Sequence, residues 1–210
     1  MTIPKKILSG IILIFITASG HSQSVVKPLA KADLWTVNNR EVSFDSEQIY
    51  LNSNAGDGVL WLNKADFRNG VIELDIKGKD TRGQSFVGIA FHGTGNDTFD
   101  GIYFRPFNFK SPERKSHSVQ YISVPENDWS VLRQKFPGKY ESEISPAPDP
   151  NEWFHAKIVV NGPVIKVYVN DSENAALEVN KISDQAEGMI GLWVGHGSEG
   201  WFKNFTITNR

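Results

Sequence analysis

The sequence predicts an all-β protein, an antiparallel β-sandwich, on three observations. Short runs in which apolar and polar residues alternate follow one another along the chain, which is typical of strands with one buried face. Turn-forming residues separate these runs, as they do between neighbouring strands. No segment shows sustained helical periodicity, and strands without crossover helices between them pair in antiparallel fashion.

The N-terminal segment, residues 1–20, has the pattern of a secretory signal peptide. Lys5 and Lys6 precede an apolar run over residues 7–18, and small residues follow it. This arrangement is typical of exported precursors, and the apolar run is too short to span a bilayer as a helix. We expect cleavage at the end of this segment, or as late as Gln23. The mature protein is then expected in the periplasm or outside the cell, without stable membrane insertion.

The remaining chain, residues 24–210, is predicted to be a single domain held together by burial alone. The sequence contains no cysteine, so neither disulfides nor a lipid-anchored cysteine contributes. The whole chain has 22 Lys and Arg against 24 Asp and Glu, so removing Lys5 and Lys6 leaves 20 against 24, a net charge of −4. An acidic chain without a basic run argues against a nucleic-acid partner. The histidines do not have the spacing of metal ligands.

The strand pattern continues along the whole domain. Before the centre of the chain, the alternating runs are LWTV, EVSF, QIYLN, VLWLN and VIELDIKG. After it, HAKIVV and VIKVYV flank Asn161-Gly162-Pro163, which is the clearest hairpin signal in the sequence. The chain closes with GMIGLWVG and WFKNFTI. Trp61, Trp153 and Trp193, on or beside these runs, are predicted to be packing residues.

The stretch from Phe86 to Tyr121 contains the strands that we expect to form a binding surface. In its first strand, one face carries large apolar side chains and the other small or polar ones: Val87, Ile89 and Phe91 against Gly88, Ala90 and His92. In the next strand the same division sets Ile102 and Phe104 against Tyr103 and Arg105. Glycine and alanine in mid-strand leave room for something to approach the backbone. One face therefore suits a core, and the other is a candidate floor for a polar ligand such as a sugar.

Residues 123–152 form a long segment with little strand character. Loops of this length are uncommon in compact domains and are often functional. The segment carries four aromatic or basic side chains: Trp129, Arg133, Phe136 and Tyr140. We therefore expect it to pack over one face or rim of the sandwich. Within it, Asp128 is a candidate N-cap for a turn or two of helix over residues 127–136.

Five side chains are candidate ligand contacts: His92, Tyr103, Arg105, Gln120 and Trp129. Arginine and glutamine provide planar, bidentate hydrogen bonding, which suits the vicinal hydroxyls of a sugar. Trp129 or Tyr103 would stack on the apolar face of a pyranose ring. A structural alternative stays open for Arg105, which could instead pair with Asp100 or Glu126 and hold the long loop in place.

The order of several motifs resembles that of a known family. The motifs are GIAF, YFRP, QY, EWFHAKIVV-NG-VIKVYVND, GLWVG and FKNFTI. Over about residues 35–209 they resemble the concanavalin A-like lectin and glucanase jelly rolls, and most of all a secreted bacterial branch near laminin-G-like and 3-keto-disaccharide hydrolase (DUF1080-type) domains. The resemblance implies two packed, curved antiparallel sheets, and a concave face that binds glycans in many relatives. It does not fix an activity, because this fold hosts enzymes and pure binders alike.

The catalytic motif of the glucanases with this fold, E-x-D-x-x-E on one strand, is incomplete here. Glu73 and Asp75 match its beginning, but Gly78 stands where the second glutamate would be. A retaining hydrolase needs two suitably spaced carboxyl groups, so the retaining-glucanase hypothesis fails. Glu73, Asp75 and Lys77 are interpreted instead as the solvated side of an amphipathic strand.

Some relatives bind Ca²⁺, and the loop after the first central strand carries three residues with suitable oxygens: Asn96, Asp97 and Asp100. Three such residues in a loop are more often turn formers. No other cofactor is predicted.

Three functions stay open at this point. The first is a secreted protein that binds a carbohydrate on the sheet face of the five candidate residues. The second is an enzyme of the 3-keto-glycoside hydrolase or lyase type, in which a histidine or glutamate takes a proton next to a carbonyl and Arg105 holds the developing oxyanion; its acid–base pair is not assigned. The third is a protein-binding or adhesion domain of laminin-G-like type, which predicts an exposed apolar patch.

Overall fold

The computed structural model describes residues 25–26 and 31–210. The predicted signal peptide, residues 1–20, and its alternative cleavage site at Gln23 lie outside the described residues. In the part of the chain that the structure describes, no helix is long and apolar enough to cross a membrane.

The described residues form 15 strands and one α-helix, α1 (Trp129–Lys135). The strands are β1 (Val25–Val26), β2 (Trp35–Asn38), β3 (Val42–Phe44), β4 (Ile49–Leu51), β5 (Gly58–Phe67), β6 (Gly70–Lys77), β7 (Val87–Gly95), β8 (Thr98–Phe104), β9 (Val119–Val124), β10 (Glu141–Ser142), β11 (Phe154–Asn161), β12 (Val164–Val169), β13 (Leu177–Asn180), β14 (Gly188–Val194) and β15 (Gly200–Asn209). Short 3₁₀ turns occupy Ala32–Leu34, Pro106–Asn108 and Lys115–His117.

The strands form two antiparallel sheets. The front sheet has seven strands in the order β10-β9-β8-β7-β14-β5-β2. The back sheet has eight, in the order β13-β12-β11-β6-β15-β4-β3, with β1 on β15. The predicted all-β sandwich is confirmed, and the chain has the jelly-roll fold of the concanavalin A-like proteins.

The core lies between the inner faces of the two sheets. On β6, Ile72, Leu74 and Ile76 are fully buried, whereas the residues between them are only partly buried. Phe104 of the front sheet meets Phe154 of the back sheet with ring centroids 5.0 Å apart. Each such side chain contributes about 1.5–3 kcal/mol by leaving water, which offsets the absence of disulfides.

The central strands pair in the register that their alternation predicts. Val87 faces Phe104 and Ile89 faces Ile102 on the inner side, and Gly88 faces Tyr103 on the outer side. A Cβ at Gly88 would lie 2.1 Å from the carbonyl oxygen of Ile102. The space at this glycine is therefore occupied by the neighbouring strand, and the prediction that it is open to a ligand is wrong.

His92 does not share the outer face with Tyr103. The β7–β8 register shifts after Phe91, and the backbone of His92 adopts a φ of +52°. The imidazole is 1% exposed and bonds through Nε2 to the carbonyl oxygen of Arg68 at 2.8 Å, with Nδ1 3.2 Å from Asp100. Strict alternation placed His92 on the candidate floor, but this bulge turns it inward.

The long segment after β9 packs on the front sheet as predicted. Asp128 caps α1 by accepting hydrogen bonds at 2.8 Å from the N–H groups of Ser130 and Val131, which confirms the predicted N-cap. β10 then pairs with β9, with Glu141 opposite Gln120. This pairing places a buried carboxylate beside the candidate site.

Candidate functional site

Arg105 is the centre of a buried hydrogen-bond network on the outer face of the front sheet. Its Nη2 donates to the hydroxyl of Tyr103 at 2.5 Å and to Oε1 of Gln120 at 3.2 Å. Its Nη1 donates to the carbonyl oxygen of His117 at 3.0 Å. Tyr103, Arg105 and Gln120 are thus brought together as predicted, but each is at most 4% exposed. They form a pre-ordered support rather than an open floor.

Arg105 also takes part in holding the long loop, though not through the predicted partners. Its Nη1 lies 3.7 Å from Glu141, which comes from β10. Asp100 is instead buried in the interior, where it accepts hydrogen bonds from Tyr121 at 2.7 Å and Ser183 at 2.6 Å. The structural role foreseen for Arg105 therefore exists, with Glu141 in place of Asp100 or Glu126.

Glu141 ties several cationic groups together. Arg133 donates to its two carboxylate oxygens at 2.8 and 2.5 Å. Nδ1 of His117 lies 2.9 Å away without making a hydrogen bond. Burial raises the pKa of Glu141, but the hydrogen bonds and charges of Arg133, with the charges of His117 and Arg105, outweigh burial and bring the pKa below its ordinary 4.5. The carboxylate therefore stays ionised at neutral pH.

Burial shifts the pKa values of Tyr103 and Arg105 in opposite directions. Desolvation raises the pKa of Tyr103 well above its ordinary value of 10.0, so the phenol stays neutral and accepts from Arg105. Desolvation lowers the pKa of Arg105, and the nearby charge of Arg133 adds to this effect. Arg105 nevertheless remains a cation, because a guanidinium does not lose its proton in proteins.

Trp129, the first residue of α1, lies next to this network and is 46% exposed. The guanidinium carbons of Arg133 and Arg105 lie 4.9 and 5.9 Å from its ring centroid. Trp129 and Phe86 each line two neighbouring cavities. An exposed aromatic ring between two cavities is available for stacking.

The larger cavity has a volume of about 260 Å³. Its walls are aromatic and aliphatic side chains with two carboxylates and one imidazole: Phe86, Tyr103, Ile122, Val124, Trp129, Trp193, Gly195, Asp57, Asp128 and His196. The pKa of Asp57 is raised above 3.8, because neighbouring groups desolvate its carboxylate although the residue as a whole is exposed. The pKa of Asp128 is lowered, because the hydrogen bonds of Ser130 and Val131 outweigh its partial burial.

The smaller cavity has a volume of about 200 Å³. Its lining is aromatic and basic: Arg82, Gly83, Phe86, Arg105, Phe107, Asn108, Arg114, His117, Trp129 and Arg133. Ligand sites commonly measure roughly 300–1,000 Å³. Neither of these two cavities reaches that range alone. Because Phe86 and Trp129 line both of them, we treat the two together as the candidate site.

Several residues of this site were not predicted from the sequence. Trp193 is buried, as its packing interpretation predicts, but it also lines the larger cavity. Its neighbour Leu192 pairs with Ile89 of the inner face, so alternation along β14 already indicated that Trp193 points outward. Phe86 and Glu141 carried no such signal, because the loops that place them have no periodicity.

The other sequence candidates lie elsewhere. Glu73 and Asp75 are on the outer face of the back sheet, where Nδ1 of His155 lies 2.8 Å from Asp75, as expected for the solvated side of a strand. Asn96 accepts a hydrogen bond from Trp61 at 2.9 Å, whereas Asp100 points into the interior. Asn96 and Asp100, two of the three residues considered as calcium ligands, therefore make hydrogen bonds to different side chains. Among the described residues, no three His, Asp or Glu side chains are grouped to hold a metal ion.

Solved structures of similar shape include proteins named for carbohydrate recognition, for a lectin-like fold and, as putative glycosyl hydrolases from Parabacteroides distasonis, for glycoside hydrolysis. The carbohydrate-binding module CBM66 from Bacillus subtilis has a TM-score of 0.62 at 18% identity, over 83% of this chain and 95% of that one. A Bacillus subtilis protein of unknown function with a galectin-like fold has a TM-score of 0.58 at 14% identity, over 88% and 96%. The exoplasmic/lumenal domain of VIP36, in its Ca²⁺/Man3GlcNAc-bound form, has a TM-score of 0.56 at 13% identity, over 87% and 86%. At identities this low, structural similarity establishes that the fold is shared and nothing more.

The sequence itself gives the family. No curated protein matches it. The 3-keto-alpha-glucoside-1,2-lyase-like domain matches residues 29–208, which is nearly the whole domain expected from the strand pattern. The chain belongs to the 3-keto-alpha-glucoside-1,2-lyase-like domain family.

Proposed function

We propose that this protein binds a glycan on the outer face of its front sheet, across the two cavities that flank Trp129. The observation that carries this proposal is the exposure of Trp129 directly beside the ordered Tyr103–Arg105–Gln120 network. A pyranose ring has an apolar face, which stacks on an indole, and hydroxyls at its rim, which need hydrogen-bond partners. The exposed indole of Trp129 offers the first, and Asp57, Asp128 and His196 in the wall of the larger cavity offer the second. His92 is not part of this proposal.

The relatives support a carbohydrate ligand. One structure of the same fold is named as a carbohydrate-binding module, and another contains Man3GlcNAc. The family name refers to a glucoside. The adhesion alternative predicts an exposed apolar patch, but the large hydrophobic side chains exposed within residues 31–210, Val37, Trp129 and Phe136, are divided between β2 and the α1 region, near opposite edges of the front sheet.

A glycan array tests the proposal. The wild-type protein is expected to bind a subset of glycans, and Trp129→Ala is expected to lose roughly 30-fold in affinity, since a central aromatic contact is worth about 2 kcal/mol. Phe136→Ala is a matched control, because it removes another exposed aromatic ring that lines neither cavity. Absence of glycan binding by the wild type, or equal losses in both variants, would contradict the proposal.

A second candidate function is elimination from a 3-keto glycoside, and the two carboxyl groups of the larger cavity favour it. In such a substrate the C2 proton is acidic because C3 is a carbonyl. Removing this proton and breaking the C1–O bond forms a C1=C2 double bond, and the departing oxygen takes up a proton. Asp57, whose pKa is raised, is suited to donate a proton to the departing oxygen, and Asp128 is the group that accepts the C2 proton. The lowered pKa of Asp128 makes it a weak base, so catalysis takes second place.

The catalytic candidate is tested with 3-keto-disaccharides. Asp57→Asn and Asp128→Asn keep the shape of each side chain, and asparagine also caps a helix well. If the wild type forms the unsaturated product, each variant is expected to lose at least about 100-fold in turnover while Asp128→Asn retains the unfolding temperature. No product from the wild type would reject elimination and leave the binding proposal intact.

We also propose that the protein is exported, on the pattern of its first 20 residues. The expected N-terminus of the mature protein is residue 21, or residue 24 in the alternative. Mass spectrometry of protein recovered from the periplasm or medium checks this. An intact Met1 in the recovered fraction would contradict it.

A further inference from the structure

The smaller cavity concentrates positive charge in a chain that is acidic overall. Four of its ten lining residues are arginines, and no aspartate or glutamate lines it. The whole chain, in contrast, has 22 Lys and Arg against 24 Asp and Glu. The composition of the chain does not produce this grouping, which results from the fold: the arginines come from the loop before β7, the end of β8, the segment before β9, and α1.

The positive charge is only partly compensated. Arg105 and Arg133 share the single carboxylate of Glu141, which is 3% exposed and lies behind the cavity wall rather than in it. Nδ1 of His117 lies 2.9 Å from the same carboxylate and, although it is buried, makes no hydrogen bond. Arg114 is 3.6 Å from Glu113, whose side chain is 80% exposed, and such a surface pair is weak. Among the described residues, Arg82 has no ion pair.

The larger cavity has the opposite character. Asp57, Asp128 and His196 are its only titratable groups besides Tyr103, and neither arginine nor lysine lines it. Carboxylates accept hydrogen bonds from sugar hydroxyls but repel an anion in a desolvated site. Trp129 and Phe86 separate the two cavities. The site therefore has a basic half and an acidic half on either side of the same aromatic rings.

We propose that the glycan carries one acidic ring, held by its carboxylate or sulfate ester in the smaller cavity, next to a neutral ring in the larger cavity. This inference rests on the proposed glycan binding. A planar guanidinium matches a carboxylate or sulfate with two parallel hydrogen bonds, and Arg82 and Arg114 are the arginines there that Glu141 does not engage. Phe86, Phe107 and Trp129 contact the ring that carries the anion.

The acidic half excludes a ligand that is charged along its whole length. A polyanion that filled both cavities would place its second anion against Asp57 and Asp128. The structure thus favours one charged and one uncharged ring in adjacent positions, rather than a fully acidic polymer.

Isothermal titration with matched disaccharides tests this arrangement. The set contains, in the gluco, galacto and manno series, a neutral disaccharide, one with a single uronate ring, one with a single 6-sulfate, and one with two uronate rings. We expect a disaccharide with one acidic ring to bind about tenfold tighter than its neutral counterpart, and this preference to shrink as salt is added. The uronate and sulfate arms distinguish the two kinds of anion. The doubly acidic disaccharide is expected to bind more weakly than the singly acidic one.

Charge variants connect the preference to the cavity. Arg82→Gln and Arg114→Gln are each expected to lower the ratio of acidic to neutral affinity at least threefold. Lys110→Gln is the matched control: it removes one positive charge nearby, but Lys110 pairs with Asp149 and does not line the cavity, so the ratio should stay unchanged.

The outcomes separate this inference from the function on which it rests. Equal affinity for neutral and acidic disaccharides, or tighter binding of the doubly acidic one, would overturn the inference and leave glycan binding standing. The same ratio in the arginine variants as in the wild type would also overturn it. No binding of any disaccharide, together with an empty glycan array, would overturn both proposals.

Discussion

The outer faces of the two sheets both carry aromatic rings next to cations, but they offer these rings to solvent very differently. On the back sheet, Trp153 and Trp201 are half-buried under lysines: Lys203 lies 4.4 Å from the ring of Trp153, and Lys77 lies 5.2 Å from that of Trp201. On the front sheet, Trp129 remains 46% exposed between two cavities. An aromatic side chain next to a sheet is therefore available to a ligand only to the extent that the fold leaves its ring exposed, as it does for Trp129 although Arg133 lies 4.9 Å from the ring centroid.

The charged groups of the two faces also differ in how far they are exposed to solvent. On the front sheet, Glu141 is almost completely buried and bonded by Arg133. On the back sheet, Glu178 pairs with Lys166 at 3.0 Å, and its side chain is 56% exposed. Buried pairs are costly to break, whereas exposed pairs contribute little. The front face is therefore expected to be rigid and sensitive to substitution, and the back face tolerant.

The largest effect is expected from Glu141→Gln, which leaves Arg105 and Arg133 without a counter-charge in a buried network. The free energy of unfolding should fall by about 3 kcal/mol, measured by urea denaturation. Glu178→Gln, the matched change on the back sheet, should have no measurable effect. Equal losses in the two variants would remove the contrast between the faces.

Trp153→Ala is expected to have the next largest effect, and only on stability. The side chain loses its packing and its cation–π contact with Lys203, which together contribute about 1–2 kcal/mol. Glycan affinity should be unchanged, in contrast to Trp129→Ala. A loss of affinity in Trp153→Ala with an unchanged unfolding temperature would place the ligand on the back sheet.

Tyr103→Phe removes one hydrogen bond from the buried network on the front sheet. Arg105 then loses the acceptor at 2.5 Å but keeps Gln120 and the carbonyl oxygen of His117. We expect a cost of about 1 kcal/mol in the free energy of unfolding, seen as a lower denaturation midpoint. An unchanged midpoint would show that the network does not depend on this phenol.

The smallest effect is a pH dependence that arises on the front face. The pKa of Glu141 is lower in the folded protein than its ordinary 4.5, so its contribution to stability is complete above about pH 4.5 and is lost as the pH falls through the lowered value. Wild type should therefore lose more stability on acidification than Glu141→Gln does, as thermal unfolding between pH 6 and 3 can show. Parallel curves would assign the acid sensitivity to other groups.

The difference between the two faces also explains how far the sequence could be interpreted. On β6, one residue in two is solvated, so the alternation of Glu73, Asp75 and Lys77 with apolar residues gave the strand and its orientation directly. On β7 and β8 nearly every residue is buried on both faces, and alternation still assigned Tyr103 and Arg105 to the outer side. It could not show that the network and the loop would cover these two side chains.

The failures of the prediction have local physical causes. His92 follows a register shift in β7, and alternation does not detect a bulge. The partner of Arg105 was sought at Asp100 and Glu126, but Glu141 reaches it through β10, a strand of only two residues. Such contacts depend on the path of the long loop, which no periodicity in the sequence specifies. The aromatic content of that loop was enough to predict that it packs on the sandwich.

The most direct test of the account uses the six tryptophans of the chain as reporters of the two faces. Their indole N–H signals can be followed by NMR while the tightest-binding disaccharide of the titration set is added. We expect the signals of Trp129 and Trp193 to shift and those of Trp153 and Trp201 to stay in place. Shifts at Trp153 and Trp201 with a silent Trp129 would contradict the assignment of the site to the front sheet.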